Sequence, residues 1–121
     1  MDNQDNADKL NENQKNLHKV RCQFCNSLIM LNNVGTFIES EFSLPLMHQK
    51  HSKSIDEFDS ENFKEYWIIE DMFHFENIGF SISVGNYKYL ICADCEMGPF
   101  GYHDLSTKRS YVALKRVKHE H

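Results

Sequence analysis

Ile78-Gly79-Phe80-Ser81-Ile82-Ser83-Val84-Gly85-Asn86-Tyr87-Lys88-Tyr89-Leu90-Ile91-Cys92-Ala93-Asp94-Cys95 decides the fold. Ile78, Phe80, Ile82 and Val84 alternate with Gly79, Ser81, Ser83 and Gly85, the period of a strand that buries one face. Gly85-Asn86 is a tight-turn signal, and Tyr87 to Cys92 reads as the returning strand. Working outward, Val34 to Leu44 alternates Ile38, Ser40, Phe42 and Leu44 with Phe37, Glu39, Glu41 and Ser43. Tyr66 to Ile69 is a short apolar run. Phe100 to His103 and Tyr111 to Val117 flank the turn-like stretch Asp104 to Arg109 and suit a hairpin. About seven strands and no long helical period predict a small, mostly β domain.

The chain has 121 residues, of which 40% are hydrophobic, so it holds one core and no more. Residues 1–17 are nearly all Asn, Asp, Gln, Glu and Lys, a composition that predicts a disordered polar tail before a single domain over 18–121. Met47 to Asn62 loses the alternation and is expected to be a flexible loop. No apolar run approaches the roughly 20 residues that span a bilayer. Met1 to Lys19 lacks the apolar core of a signal peptide, so a soluble, cytoplasmic monomer is expected.

All four cysteines fall in two pairs of equal spacing, Cys22-Gln23-Phe24-Cys25 and Cys92-Ala93-Asp94-Cys95. A Cys-x-x-Cys turn aims both sulfurs at one point, and two such knuckles complete a tetrahedral thiolate cage for one zinc ion. Disulfides do not suit a reducing compartment. A redox Cys-x-x-Cys sits alone at the start of a helix in a βαβ context, which is missing. Four thiolates leave no open coordination position, so the zinc is read as structural. It contributes on the order of 10 kcal/mol to a domain with little core of its own. His103, His18, His119, His121, His48 and His51 lie at no finger spacing and are read as ordinary histidines.

Formal charge is -5, and Glu39 to Glu76 alone carries -7, so the remainder sums to +2. That balance argues against a general nucleic-acid binder. Lys115, Arg116 and Lys118 are read as the solvated edge of a strand. No nucleophile–base order, phosphate-cradling glycine loop or paired carboxylate site stands out. An enzyme of the methionine sulfoxide reductase type would need a thiol beyond the zinc set, and none is left.

Three segments follow one another in a distinctive order. They are Glu70-Asp71-Met72-Phe73-His74-Phe75-Glu76-Asn77-Ile78-Gly79-Phe80, then Cys92 to His103 (Cys-Ala-Asp-Cys-Glu-Met-Gly-Pro-Phe-Gly-Tyr-His), then Tyr111 to Val117. This succession resembles the Rab-interacting factor family, the Mss/Dss-type zinc proteins that act on Rab GTPases. The likeness is close from Tyr66 to Glu120 and loose from Val20 to Leu44. It implies a two-sheet β-tent domain with one zinc held by Cys22, Cys25, Cys92 and Cys95. It also implies binding to Rab-family small GTPases, with preference for the nucleotide-free form. Release of GDP or GTP would follow, as exchange factor or chaperone in vesicle transport and exocytosis, with no catalytic chemistry and no membrane insertion. The chain would reach vesicle membranes only through its Rab partners.

Carried over residue by residue, the partner surface implied by the resemblance is Asp71, Met72, Phe73, Phe75, Glu76, Asn77, Asp94 and Glu96. Tyr102 stands where the family usually has Trp, Phe100 where it often has Ile, and His74 where it often has an aliphatic residue. Strand alternation by itself predicts Phe73 and Phe75 buried together, with Met72 and His74 outside. An alternative reading is a zinc-stabilised interaction module without exchange activity, for nucleic acid or another protein.

Overall fold

The computed structural model describes residues 9–45, 48–49 and 60–120. Eleven strands are found there: β1 (Val20–Cys22), β2 (Leu28–Met30), β3 (Thr36–Pro45), β4 (His48–Gln49), β5 (Ser60–Ile69), β6 (Ile78–Val84), β7 (Tyr87–Cys92), β8 (Met97–Gly98), β9 (Gly101–Asp104), β10 (Arg109–Ala113) and β11 (Val117–His119). They form a six-stranded sheet in the order β3-β5-β10-β9-β7-β6 and a three-stranded sheet β11-β1-β2, with β4 and β8 as a short pair. Every pairing is antiparallel. The expected mostly β, two-sheet class is what the chain adopts.

The alternation read from the sequence sorts side chains to the two faces of the large sheet. Trp67 opposes Val112, Ile69 opposes Ser110 and Phe80 opposes Leu90 on the face turned toward the small sheet. There they pack with Val20, Ile29, Met30, Phe75, Phe100 and Leu114 into the main core. The opposite face gathers Leu44, Tyr66, Tyr102 and Ala113, with Phe42, Phe63, Tyr87, Tyr89 and Tyr111 packed around them. Tyr102 lies stacked between Phe42, 3.7 Å away, and Tyr111, 4.7 Å away. These ring contacts bury large apolar area on this face of the sheet. Tyr102 and Phe100 are both buried, so the two family departures keep the packing intact.

Tight turns follow the local chemistry. Gly85 takes φ +60° in the two-residue link between β6 and β7, a conformation a side chain resists. Gly101 is required for a different reason: a Cβ there would sit 1.9 Å from the carbonyl oxygen of Tyr111 on the paired strand.

Three expectations need correcting. Residues 9–17, expected in the disordered tail, are ordered, and residues 1–8 lie outside the described residues. Leu10 bridges to Asn16 and packs on the main core, and Lys15 bridges to Thr36. Asn16 is fully buried: its side-chain oxygen accepts from Val34 N–H at 2.9 Å and Gly35 N–H at 2.7 Å. Its amide nitrogen donates to the carbonyls of His18 at 2.8 Å and Leu31 at 2.9 Å. A polar side chain that meets all its hydrogen-bond capacity anchors this segment where apolar burial alone does not.

The expected loop over 47–62 is shorter than read. Ser60 to Asn62 belong to β5, paired with Ser43 to Pro45, and His48–Gln49 pair with Met97–Gly98. Residues 46–47 and 50–59 lie outside the described residues. Arg116, read as part of a solvated edge, is 4% exposed. It donates to Pro99 O at 2.6 Å, pairs with Glu61 at 3.0 Å and lies 4.7 Å over the Phe63 ring. Lys115 and Lys118 are exposed as expected.

Candidate metal centre and adjoining surface

Each cysteine pair closes a knuckle by the same local device. Asn26 N–H donates to Cys22 O at 3.0 Å, and Glu96 N–H donates to Cys92 O at 2.9 Å. The residue after each second cysteine turns into the left-handed region, with φ 68° at Asn26 and 63° at Glu96. Asn tolerates that conformation; Glu adopts it less readily. The strands before the knuckles, β1 of the small sheet and β7 of the large one, are far apart in sequence, and the cysteines bring their ends together.

Four sulfurs meet there, all within 4.8 Å of one another. Cys22 and Cys95 are 3.6 Å apart, and Cys25 and Cys92 are 3.5 Å apart. A disulfide needs about 2.05 Å, whereas a zinc ion with sulfurs at about 2.3 Å has tetrahedral edges of roughly 3.8 Å. The donor set therefore fits zinc in size and in softness. Burial pushes the Cys92 and Cys95 thiols up, that of Cys95 to about 12. A hydrogen bond with Ser27 chiefly lowers exposed Cys25, to about 7. Metal ligands of this kind bind as thiolates, so a bound cation would offset the cost of charge at the buried positions. Among the described residues no histidine joins the cluster: His103 bonds Ser110 at 2.8 Å, and His119 accepts from Trp67 at 3.0 Å. The side chains of His48, His51 and His121 are outside the described residues.

Two further residues bind the knuckles to each other. Asn77 donates its side-chain N–H to Leu28 O at 2.9 Å and accepts Ala93 N–H at its backbone carbonyl, 3.2 Å away. The Ser27 hydroxyl donates to the Asp94 carboxylate and lies 3.2 Å from the Cys25 sulfur. Neither role carries a signal in spacing or composition.

The segment Asp71 to Asn77 leads into this centre. Asp71 Oδ1 accepts Phe73 N–H at 2.9 Å, and Asp71 O accepts His74 N–H at 3.0 Å. These bonds wind Met72–His74 into a 3-10 turn and break the period-two pattern. Phe73 and Phe75 are accordingly not buried together. Phe73 stands 87% exposed, while Phe75 is 8% exposed, pairs with Met30 and packs in the main core. Phe75 is thus unavailable as a surface contact, and the half-buried Asn77 is engaged in holding the knuckles. Asp71, Glu76 and Asp94 are exposed, as is His74, and Glu96 is half-buried. The Met72 side chain lies outside the described set.

A two-sheet antiparallel domain joined by a quartet of cysteines is the class defined by this fold and centre. The family model described as Mss4 protein matches residues 15–119, and the chain belongs to that family. It is 53% identical over 106 residues to the guanine nucleotide exchange factor MSS4 homolog of Drosophila melanogaster, covering 88% of this chain and 87% of the relative. It is 30% identical over 97 residues to the protein of the same name from Schizosaccharomyces pombe, covering 79% and 90%.

Proposed function

We propose that the chain binds small GTPases of the Rab family, prefers their nucleotide-free state, and so promotes release of GDP and GTP. The observation that carries this reading is Phe73, an aromatic ring 87% exposed beside Asp71 and on a segment that runs into the cysteine centre. An exposed aromatic among acids has the make-up of a binding hot spot with charge to steer a basic partner. The two relatives are named as guanine nucleotide exchange factors, which agrees. On this reading the protein is a cytoplasmic monomer that meets vesicle membranes only through its partners, as exchange factor or chaperone in vesicle transport.

Binding alone can do this work. If the chain binds empty GTPase more tightly than loaded GTPase by some factor, nucleotide affinity falls by that same factor. Each tenfold requires about 1.4 kcal/mol of differential binding. Phe73 would occupy an apolar position on the GTPase and hold its nucleotide-contacting segment displaced. The carboxylates of Asp71, Glu76 and Asp94 then need only match basic groups at the rim, without reaching the phosphate site. Zinc, held by Cys22, Cys25, Cys92 and Cys95, would fix the two knuckles and take no part in nucleotide release.

Release of a fluorescent guanine nucleotide from a panel of Rab proteins tests the proposal. Zinc-loaded protein should accelerate release from at least one, and Phe73→Ala should abolish the effect. Neither acceleration nor capture of any nucleotide-depleted Rab would end it.

A further inference from the structure

Two candidate residues converge on one hydroxyl. Ser27 Oγ reaches the carboxylate of Asp94 on the second knuckle and lies 3.2 Å from the sulfur of Cys25 on the first. Its backbone is pinned, since Cys22 N–H donates to Ser27 O at 2.9 Å, so the hydroxyl has a fixed place between the two. A serine hydroxyl carries one proton to donate, and an ionised carboxylate can only accept. A cysteine sulfur that holds a metal ion is a thiolate and also only accepts. Two acceptors therefore compete for one proton.

We propose that Ser27 is a positioning residue coupling the metal site to the Asp94 surface, because its single proton serves either the coordinating Cys25 sulfur or the Asp94 carboxylate. A basic partner group that engages Asp94 leaves the proton to the sulfur and tightens the metal site at Cys25, its most exposed cysteine. The coupling is reciprocal: tighter metal binding leaves Asp94 freer for the partner. Hydrogen bonds to metal ligands are of the right size, since losing one typically changes metal affinity by about 10–100-fold. The metal half of this inference rests on the cysteine quartet holding zinc, and the partner half on the function proposed above.

The test follows zinc passing from the full-length chain to a chromogenic chelator, with no partner present. Asp94→Ala should slow the transfer, because the Ser27 proton is left to the sulfur. Transfer from Ser27→Ala should be about tenfold faster than from Asp94→Ala, with the original chain between them, and Ser27→Thr, which keeps the hydroxyl, should restore the original rate. In the Ser27→Ala background Asp94→Ala should have no further effect. The sulfur-to-metal charge-transfer band of the cobalt-loaded chain should move with Ser27→Ala and return with Ser27→Thr. Asp94→Ala that fails to slow transfer, or that acts equally without the Ser27 hydroxyl, overturns the proposal. The first of these outcomes does not depend on Ser27→Ala folding. A second arm adds nucleotide-depleted Rab, which should slow zinc transfer from the original chain more than from Ser27→Ala. Absence of any Rab binding counts against the proposed function, whereas the partner-free rates decide the role of Ser27.

Discussion

The indole N–H of Trp67, on β5 beside the edge strand of the large sheet, donates to Nε2 of His119 across 3.0 Å. Trp67 is fully buried, so this bond gives its one polar atom a partner and ties β11 of the small sheet to β5 of the large one. A buried donor left unpaired costs about 1–3 kcal/mol. His119→Phe should therefore lower stability by about 2 kcal/mol, while His119→Gln, which supplies an acceptor oxygen, should recover much of it. Trp67 is the single tryptophan of the sequence, so its emission during urea unfolding reports the change directly. Equal midpoints for the Phe and Gln variants would mean that the bond contributes nothing.

Asn16 makes a sharper case. Its side chain contacts four backbone groups of the 18–35 region while fully buried. Asn16→Ala removes those bonds and strands their partners, which predicts a loss of about 3 kcal/mol or more in denaturant unfolding. Asn16→Asp keeps the acceptor but loses the donor and buries a charge, so it should be at least as damaging.

Asn16 also marks the limit of what the sequence makes legible. The strands over 78–92 and 36–45 were readable because burial on one face of a sheet imposes a period of two. The cysteine quartet was readable because a metal site demands fixed residue types at fixed spacing. Asn16 sits in a run of polar residues, and composition cannot distinguish a buried amide with four partners from a solvated one. Ser27, Asn77 and Arg116 are similar cases, each defined by partners remote in sequence. Phe73 failed for the opposite reason: its N–H bonds locally to the Asp71 carboxylate, and the turn this makes overrides strand alternation.

His103 gives the fold a specific acid sensitivity. Burial chiefly pushes its pKa below the ordinary 6.5, with Lys88 adding to the depression and Asp104 opposing it. Above pH 6.5 the imidazole is neutral folded or unfolded and contributes nothing to the pH dependence. As pH falls below that value the unfolded chain takes up the proton first, so stability declines until the folded-state pKa is passed. His103→Asn should flatten the stability curve below about pH 6.5 relative to the original chain. Comparing the two proteins cancels the acid loss of metal common to both. Parallel curves would remove His103 as the cause.

Metal removal should be far more damaging than any single substitution in the core. The knuckles join the ends of β1 and β7 from the two sheets, and a structural zinc site contributes on the order of 10 kcal/mol. That exceeds much of the total stability of a domain this size. A strong chelator should therefore lower the thermal midpoint steeply or abolish cooperative unfolding, and added zinc should restore it. Cys25→Ser and Cys92→Ser should both mimic the chelator, although Cys25 is exposed and Cys92 fully buried. An exposed free cysteine would tolerate serine within about 0.5 kcal/mol, so the Cys25 variant is the one that tests ligation.

Phe73 and Phe75, two residues apart, should separate binding from folding. Phe75 is buried against Met30 in the main core, and Phe75→Ala should cost about 3–5 kcal/mol of stability through the cavity it leaves. Phe73 projects into solvent at 87% exposure, so Phe73→Ala should leave the unfolding midpoint within about 0.5 kcal/mol of the original. If its ring is the anchor for a small GTPase, the same substitution should weaken binding by about 2 kcal/mol, roughly thirtyfold. Calorimetric titration with nucleotide-depleted Rab, alongside denaturant unfolding, measures both quantities on each variant. A Phe73→Ala chain that binds normally would move the anchor elsewhere on the metal-proximal surface. Stable folding of Phe75→Ala would contradict its place in the core.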